Sequence, residues 1–153
     1  MSGSNHLYSK ILVGLDGSSN SMKAVDHAIT ITKQNEAKLI VVHIIPSQLR
    51  SGVYASSIAI PTSSDYLKRA DEEVDMWFER IKGKAAQMRI EVETKVISSG
   101  YSAGQIIVDL AEKEKVNLII VGTRGMTGFK KLLLGSVALE VVTYSHCDVI
   151  VVK

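Results

Sequence analysis

Short apolar runs punctuate the chain, and the polar stretches between them carry helical spacing. Lys10-Ile11-Leu12-Val13-Gly14-Leu15 is the first run, stopped by Asp16-Gly17-Ser18-Ser19. Lys38 to Ile45 is the second, ended by Pro46. Leu118-Ile119-Ile120-Val121 and Asp148-Val149-Ile150-Val151-Val152 have the same character. Runs without alternation predict strands buried on both faces, as in a parallel sheet. Ile90 to Ile97 differs: Ile90, Val92, Thr94 and Val96 alternate with Glu91, Glu93 and Lys95, which predicts a half-exposed strand at a sheet edge.

Helical periodicity fills the intervals. Met22, Val25, Ala28, Ile29 and Thr32 share one face of a first helix, with Ser18 or Ser19 placed to cap it. Leu67, Ala70, Val74, Trp77, Phe78, Ile81, Ala85 and Met88 recur at steps of three and four and predict the longest helix; its Met, Trp and Phe read as a core stripe, and Asp71-Glu72-Glu73 as its solvated face. A third helix, from about Ser102 to Lys115, turns Ile106, Ile107, Leu110 and Ala111 inward, and a short fourth begins near Ser136. Strands alternating with helices imply parallel pairing through right-handed crossovers. The expected fold is therefore a three-layer, doubly wound α/β sandwich on a five-stranded parallel sheet of order 3-2-1-4-5. Such a sheet binds ligands at the carboxyl ends of its strands, where the strand order reverses. That places Asp16, after the first strand, beside Gly122, after the fourth.

Composition narrows the class. The 153 residues fit one domain, expected over residues 9–153, behind a polar start at 1–8 that is expected to be disordered. A net charge of +2 gives no electrostatic argument for nucleic acid or a membrane surface. A single cysteine, Cys147, excludes an intramolecular disulfide and suits a reducing cytoplasm. No apolar stretch reaches the roughly 18 residues of a membrane span.

The stretch from Gly122 to Ser136 carries the most chemistry. A glycine-rich loop follows a buried strand, and a further glycine stands where a helix begins. Backbone amides at that helix start favour an anion such as phosphate. Neither the P-loop string nor Gly-x-Gly-x-x-Gly is present. What is present is Gly122-x2-Gly125-x9-Gly135-Ser136. This motif closely resembles that of the ATP-binding branch of the universal stress protein family, and the resemblance spans Lys10 to Lys153. It implies a Rossmann-like adenine-nucleotide fold in which Gly14, Leu15 and Asp16 end the first strand, Asp16 meets the ribose or helps hold Mg²⁺, and backbone around Ile44 meets adenine. It further implies that Gly122, Arg124, Gly125, Gly135, Ser136 and Val137 hold the phosphates. Many relatives carry proline where this chain has His146-Cys147-Asp148, a departure away from the presumed site. The resemblance also implies a homodimer joined through the last strand, residues 148–153, whose apolar edge lacks proline.

Rival readings exist. Gly100-Tyr101-Ser102-Ala103-Gly104 fits the Gly-x-Ser-x-Gly nucleophile elbow, with Asp109 and His146 following in hydrolase order. Ser102 with Gln105 is equally a capping box, and the strand before it reads as an edge, where an elbow does not belong. His6, His27, His43 and His146 form no ligand-spaced pair; His43 reads as a hydrogen-bonded core or pocket-rim residue. Asp16 fits either a helix cap or a ligand contact. Lys130, Lys131 and Arg124 fit either phosphate contacts or a solvated surface. Residues 46–64 form a long irregular segment of the kind that serves as a functional lid. Two functions remain: a nucleotide-binding regulatory protein acting on a client, or a slow ATP hydrolase or adenylyl-transferring enzyme. The absence of an evident general base and of a P-loop lysine favours the first.

Overall fold

The computed structural model describes residues 6–48, 64–124 and 134–153. Its five strands are β1 (Lys10–Gly14), β2 (Lys38–Pro46), β3 (Val92–Ser99), β4 (Leu118–Gly122) and β5 (Asp148–Val152). They form one parallel sheet in the expected order β3-β2-β1-β4-β5. The helices are α1 (Ser19–Asn35), α2 (Ser64–Gln87), α3 (Ala103–Lys113) and α4 (Ser136–Tyr144).

Each strand sends alternate side chains to opposite faces. Ile11, Val13, Leu39, Val41, Leu118 and Ile120 pack with Ala24, Val25, Ala28 and Ile29 of α1 and Val74, Phe78 and Ile81 of α2. Leu12, Ile40, Val42, Ile119 and Val121 pack on the other face with Ile107, Val108 and Ala111 of α3 and Ala138 and Val141 of α4. Right-handed crossovers produce this division. The chain steps outward from β1 through β2 to β3 with α1 and α2 on one face, then returns to β4 and β5 with α3 and α4 on the other.

Two elements differ from the sequence expectation. The third strand starts at Val92, two residues late. Arg89 takes a left-handed conformation (φ 56°) and the Ile90 amide turns back to the Ala85 carbonyl at 3.0 Å, so Ile90 closes α2 instead of opening β3. In α2, Ala70 is exposed and Trp77 only half-buried, because the buried face is Val74, Phe78, Ile81 and Ala85. Leu7 and Tyr8, placed by sequence in an unstructured start, are anchored: both amides donate to Asn35 Oδ1, and the Tyr8 hydroxyl donates to Asp148 at 3.1 Å.

A charged cluster ties β3 to the end of α3. Lys95 lies 2.6 Å from Glu93 and 3.4 Å from Glu114, and Lys10 lies 3.7 Å from Glu114. The hydrogen bond from Lys95 holds the Glu114 carboxyl below its ordinary 4.5. The bond to Glu93, with a smaller share from Glu114, raises Lys95 above its ordinary 10.5 against the opposing effect of burial. Glu114 therefore contributes stability that is complete above the ordinary carboxylate value and lost as pH falls through its depressed folded value. Lys95 contributes stability that is complete below 10.5 and lost as pH rises through its raised value. Thermal melts of Glu114→Gln should show a flatter acid limb than the parent, with the alkaline limb largely kept because Glu93 remains beside Lys95. An acid limb identical to the parent's would show that the cluster contributes nothing.

Candidate functional site

The site is built where β1 and β4 end side by side. Beyond Gly14, the Leu15 amide still donates to the Val42 carbonyl at 2.8 Å, and the chain then turns sharply. Asp16 Oδ1 accepts from the Ser18 amide at 2.9 Å, while the Asp16 amide donates to Ser21 Oγ at 3.3 Å. Gly17 sits in the left-handed region at φ 81°, a conformation that favours glycine. Ser18 caps α1, its Oγ accepting from the Ser21 amide at 3.2 Å. Of the two candidate caps the structure selects Ser18, and Asp16 shapes the turn before it, its carboxylate half-buried at the strand tip.

Across the switch point the first turn of α1 lies tightly against the end of β4. A Cβ on Gly122 would stand 2.9 Å from the Asn20 backbone carbon, so only glycine lets helix and strand approach this closely. Asn20 Nδ2 donates to Thr123 Oγ1 at 3.4 Å. Thr123 is buried, with its amide donating to Val152 O at 2.8 Å and its carbonyl accepting from the Gly135 amide at 2.6 Å. That last bond brings the start of α4 back to β4. A Cβ on Gly135 would stand 3.0 Å from Thr123 O and 3.4 Å from Arg124 Cα. Gly135 is the N-cap of α4 and has no side chain with which to cap it. Its own amide is bound to Thr123, so the amides facing outward at this helix start are those of Ser136, Val137 and Ala138. Two helices thus open at one place, and both termini favour negative charge. Gly125, Lys130 and Lys131 lie outside the described residues, as does most of the 46–64 segment.

The third wall comes from β2 and α2. Ile44 is half-buried near the end of β2. Its neighbour His43 places Nδ1 2.7 Å from the Leu15 carbonyl. A carbonyl can only accept, so Nδ1 carries the proton of that bond. The imidazole meets the indole of Trp77 edge to face, with ring centroids 5.6 Å apart. The same indole covers Gly17: a Cβ there would overlap Cη2 and Cζ2 of Trp77. The rim-residue reading of His43 agrees with this geometry. Periodicity assigned Trp77 to a core stripe and had no means of linking it to a turn sixty residues earlier. Asn20 also escapes a reading of the sequence, since its residue type does not stand out without the contact to Thr123.

The universal stress protein family model matches residues 7–153. The chain belongs to this family. A universal stress protein of Methanocaldococcus jannaschii, MJ0531, is 36% identical over 97% of this chain and 84% of its own length. YxiE of Bacillus subtilis is 33% identical over 96% of this chain and 100% of its own. Among solved structures, the hypothetical protein MJ0577 superposes with a TM-score of 0.79 at 27% identity, covering 95% of this chain and 96% of that one. A universal stress protein solved in complex with cAMP superposes with a TM-score of 0.65 at 26% identity, covering 95% and 97%.

The rival sites do not assemble in this universal stress protein fold. Ser102 is the N-cap of α3, its Oγ accepting from the Gln105 amide at 3.2 Å and donating to the carboxylate of Glu140 at 2.7 Å. Ser102 follows β3, at the carboxyl end of the sheet, whereas His146 precedes β5 at the amino end and bonds to Val116 O at 3.0 Å. A serine–histidine pair is therefore impossible. His6 faces Glu36 at 3.6 Å and His27 is exposed. Among the described residues no group of three or more His, Cys, Asp or Glu could hold a metal ion. Burial pushes the Cys147 thiol up, with the Asp148 carboxylate adding to the effect, which disfavours the reactive thiolate. Ser102→Ala should lower stability by about 1 kcal/mol through the lost cap, measured by chemical denaturation. Any esterase activity of the preparation should stay unchanged; its loss in a folded variant would restore the nucleophile reading.

Proposed function

We propose that this protein is an ATP-binding regulatory module whose nucleotide lies across the β1/β4 switch point. One observation carries the reading: α1 and α4 open side by side at the carboxyl end of a parallel sheet, and the α4 cap, Gly135, offers the first-turn amides of Ser136, Val137 and Ala138 no side-chain acceptor of its own. The β and γ phosphates would take those amides, with Gly122, Gly125 and Arg124 beside them. Asp16, at the tip of β1, would meet the ribose hydroxyls, and the backbone around Gly14, Leu15 and Ile44 the adenine. The solved relative in complex with cAMP, 26% identical over nearly the whole chain, supports an adenine nucleotide as the ligand. The motif Gly122-x2-Gly125-x9-Gly135-Ser136 supports a longer phosphate chain and hence ATP.

Mg²⁺ fits the residues in one way. It takes one or two carboxylates and completes its shell with water and substrate phosphates, so Asp16, in place of its ribose contact, would supply the protein ligand and ATP the others. The motif carries no P-loop lysine to stabilise transferring charge, and nucleotide occupancy read by a client protein in the cytoplasm is the function favoured over turnover. Calorimetric titration of ATP with Mg²⁺ into protein stripped of copurified nucleotide should give saturable binding. Absence of heat at millimolar ATP, together with failure to displace a fluorescent ATP analogue, would refute the reading. Steady release of inorganic phosphate from the bound complex would move it to the hydrolase alternative.

The second partner is another copy of this chain. β5 has β4 on one side and no strand on the other among the described residues. Among the described N-terminal residues, the Tyr8 hydroxyl donates to Asp148 and the Leu7 and Tyr8 amides go to Asn35 of α1, so these bonds do not engage the β5 backbone. Beside the strand, α4 exposes Leu139 and Val142. Pairing two β5 strands antiparallel about a twofold axis would satisfy both edges and close the assembly. Val152 turns its carbonyl to Thr123, so by alternation Val151 points its amide outward. Val151→Pro therefore removes an edge donor without cutting the ladder to β4. Light scattering at micromolar concentration should show a dimeric parent and a monomeric variant. A monomeric parent, or a folded variant that stays fully dimeric, would rule out this interface.

A further inference from the structure

The first turn of α3 carries a carboxylate from another helix. Ser102 Oγ lies 2.7 Å and 2.8 Å from the two carboxylate oxygens of Glu140, a residue of α4. The same carboxylate rests on Gly104: a Cβ there would overlap Glu140 Oε2 and stand 2.8 Å from Glu140 Cβ. Gly104 is buried beneath it. The amino end of α3 favours a negative charge, and α4 supplies one. Glu140 lies about one turn beyond Ser136, so whatever holds Glu140 also bears on the amides that start α4. That helix is nine residues long and meets the core through Ala138 and Val141, with Val137 partly buried beside them. These positions form a single stripe. A stripe fixes the depth of a helix better than its rotation about its own axis. Successive residues are about 100° apart around a helix, so Glu140 projects to one side of the stripe. Its bond to Ser102 braces α4 against that rotation.

We infer that Glu140 is a positioning residue for the anion site: seated on the start of α3, it fixes the rotation of α4 and so aims the amides of Ser136, Val137 and Ala138 at the cleft. This rests on the nucleotide reading above and deepens it, adding a side chain that acts through the helix and not on the ligand. Its effect falls on the phosphates and spares the nucleoside, because adenine and ribose are assigned to the ends of β1 and β2. Gly104 is the other half of the device, since a side chain there displaces Glu140. The signature is a lost preference for phosphorylated ligands with the affinity for the bare nucleoside unchanged.

The test titrates ATP with Mg²⁺, and separately adenosine, into the full chain stripped of nucleotide, for the parent, Glu140→Ala, Glu140→Gln and Gly104→Ala. The parent should prefer ATP by about a hundredfold, as expected of charge-assisted hydrogen bonds to several amides. Glu140→Ala should weaken ATP binding about tenfold, the loss expected if about a tenth of the molecules keep the competent rotation, and should leave adenosine unchanged. Gly104→Ala should do the same with the carboxylate still present, although alanine is the better helix former. Glu140→Gln keeps an oxygen for the Ser102 hydroxyl and should stay close to the parent, which separates position from charge. If Glu140→Ala does not fold, Gly104→Ala is read in its place. Variants that keep the parent's affinity for ATP, or that lose affinity for ATP and adenosine alike, overturn the inference. So does a Glu140→Gln protein as weak as Glu140→Ala. A parent that binds ATP and adenosine alike overturns it and takes the phosphates off α4 while leaving nucleoside binding intact. A parent that binds neither defeats the nucleotide reading itself.

Discussion

Everything in this molecule depends on covering both faces of β1 and β4. Ile11, Leu12, Val13, Leu118, Ile119 and Ile120 are completely buried, three from each strand. Burying one such side chain is worth about 1.5–3 kcal/mol, and a folded domain has a net stability of only about 5–15 kcal/mol. Leaving either face open is therefore not tolerated, and helices must lie on both. Right-handed crossovers then leave one solution, with α1 and α2 on one face and α3 and α4 on the other. The place where the chain changes direction lies between β1 and β4, and there α1 and α4 leave toward opposite faces. The meeting of two strand ends and two helix starts at the carboxyl end follows from the burial requirement before any ligand is considered.

The glycines of this cleft carry two demands at once. Read from sequence they are places where a ligand may come close to the backbone. In the fold they are also places where the protein comes close to itself: Gly122 under Asn20, Gly135 under the Thr123 carbonyl, Gly17 under Trp77 and Gly14 under Ile107. The demands do not compete, because packing that brings two helix starts against two strand ends is what concentrates outward-facing amides in a small space. They do mean that substituting one of these glycines disturbs folding together with binding. A side chain that acts on the cleft from outside the glycine loops is a cleaner probe of the site than the glycines themselves.

The sheet order, the four helices and the meeting of the β1 and β4 ends were legible because each rests on a local pattern: an apolar run, a helical period, or a glycine at a strand end. The two-residue shift of β3 escaped because Ile90 fits the alternation equally well, and only the Ala85 carbonyl decides that it belongs to the end of α2. Contacts that shape the site between distant segments were illegible for the same reason. Asn20 meets Thr123 across 103 positions, and Ser102 meets Glu140 across 38. Gly17 lies beneath a tryptophan that periodicity had already assigned to the core. A period describes one element's own face and carries no information about which remote side chain completes a turn.

The two ends of the sheet are finished in opposite ways, and this asymmetry gives the molecule its direction. At the amino end, side chains satisfy the backbone. Asn117 Oδ1 accepts from the Ser9 and Lys10 amides, and Asn35 Oδ1 from those of Leu7 and Tyr8. Lys10 Nζ donates to the Glu114 carbonyl, and the His146 ring meets the Val116 carbonyl. The backbone groups named there are satisfied by the chain itself, and that end gathers the carbonyl ends of α1 and α3, which repel an anion. At the carboxyl end the helices present their amino termini, and α4 begins without a capping side chain. The described residues thus provide acceptors at one end of the sheet and no capping side chain at the start of α4, so the helix termini at the two ends favour charges of opposite sign.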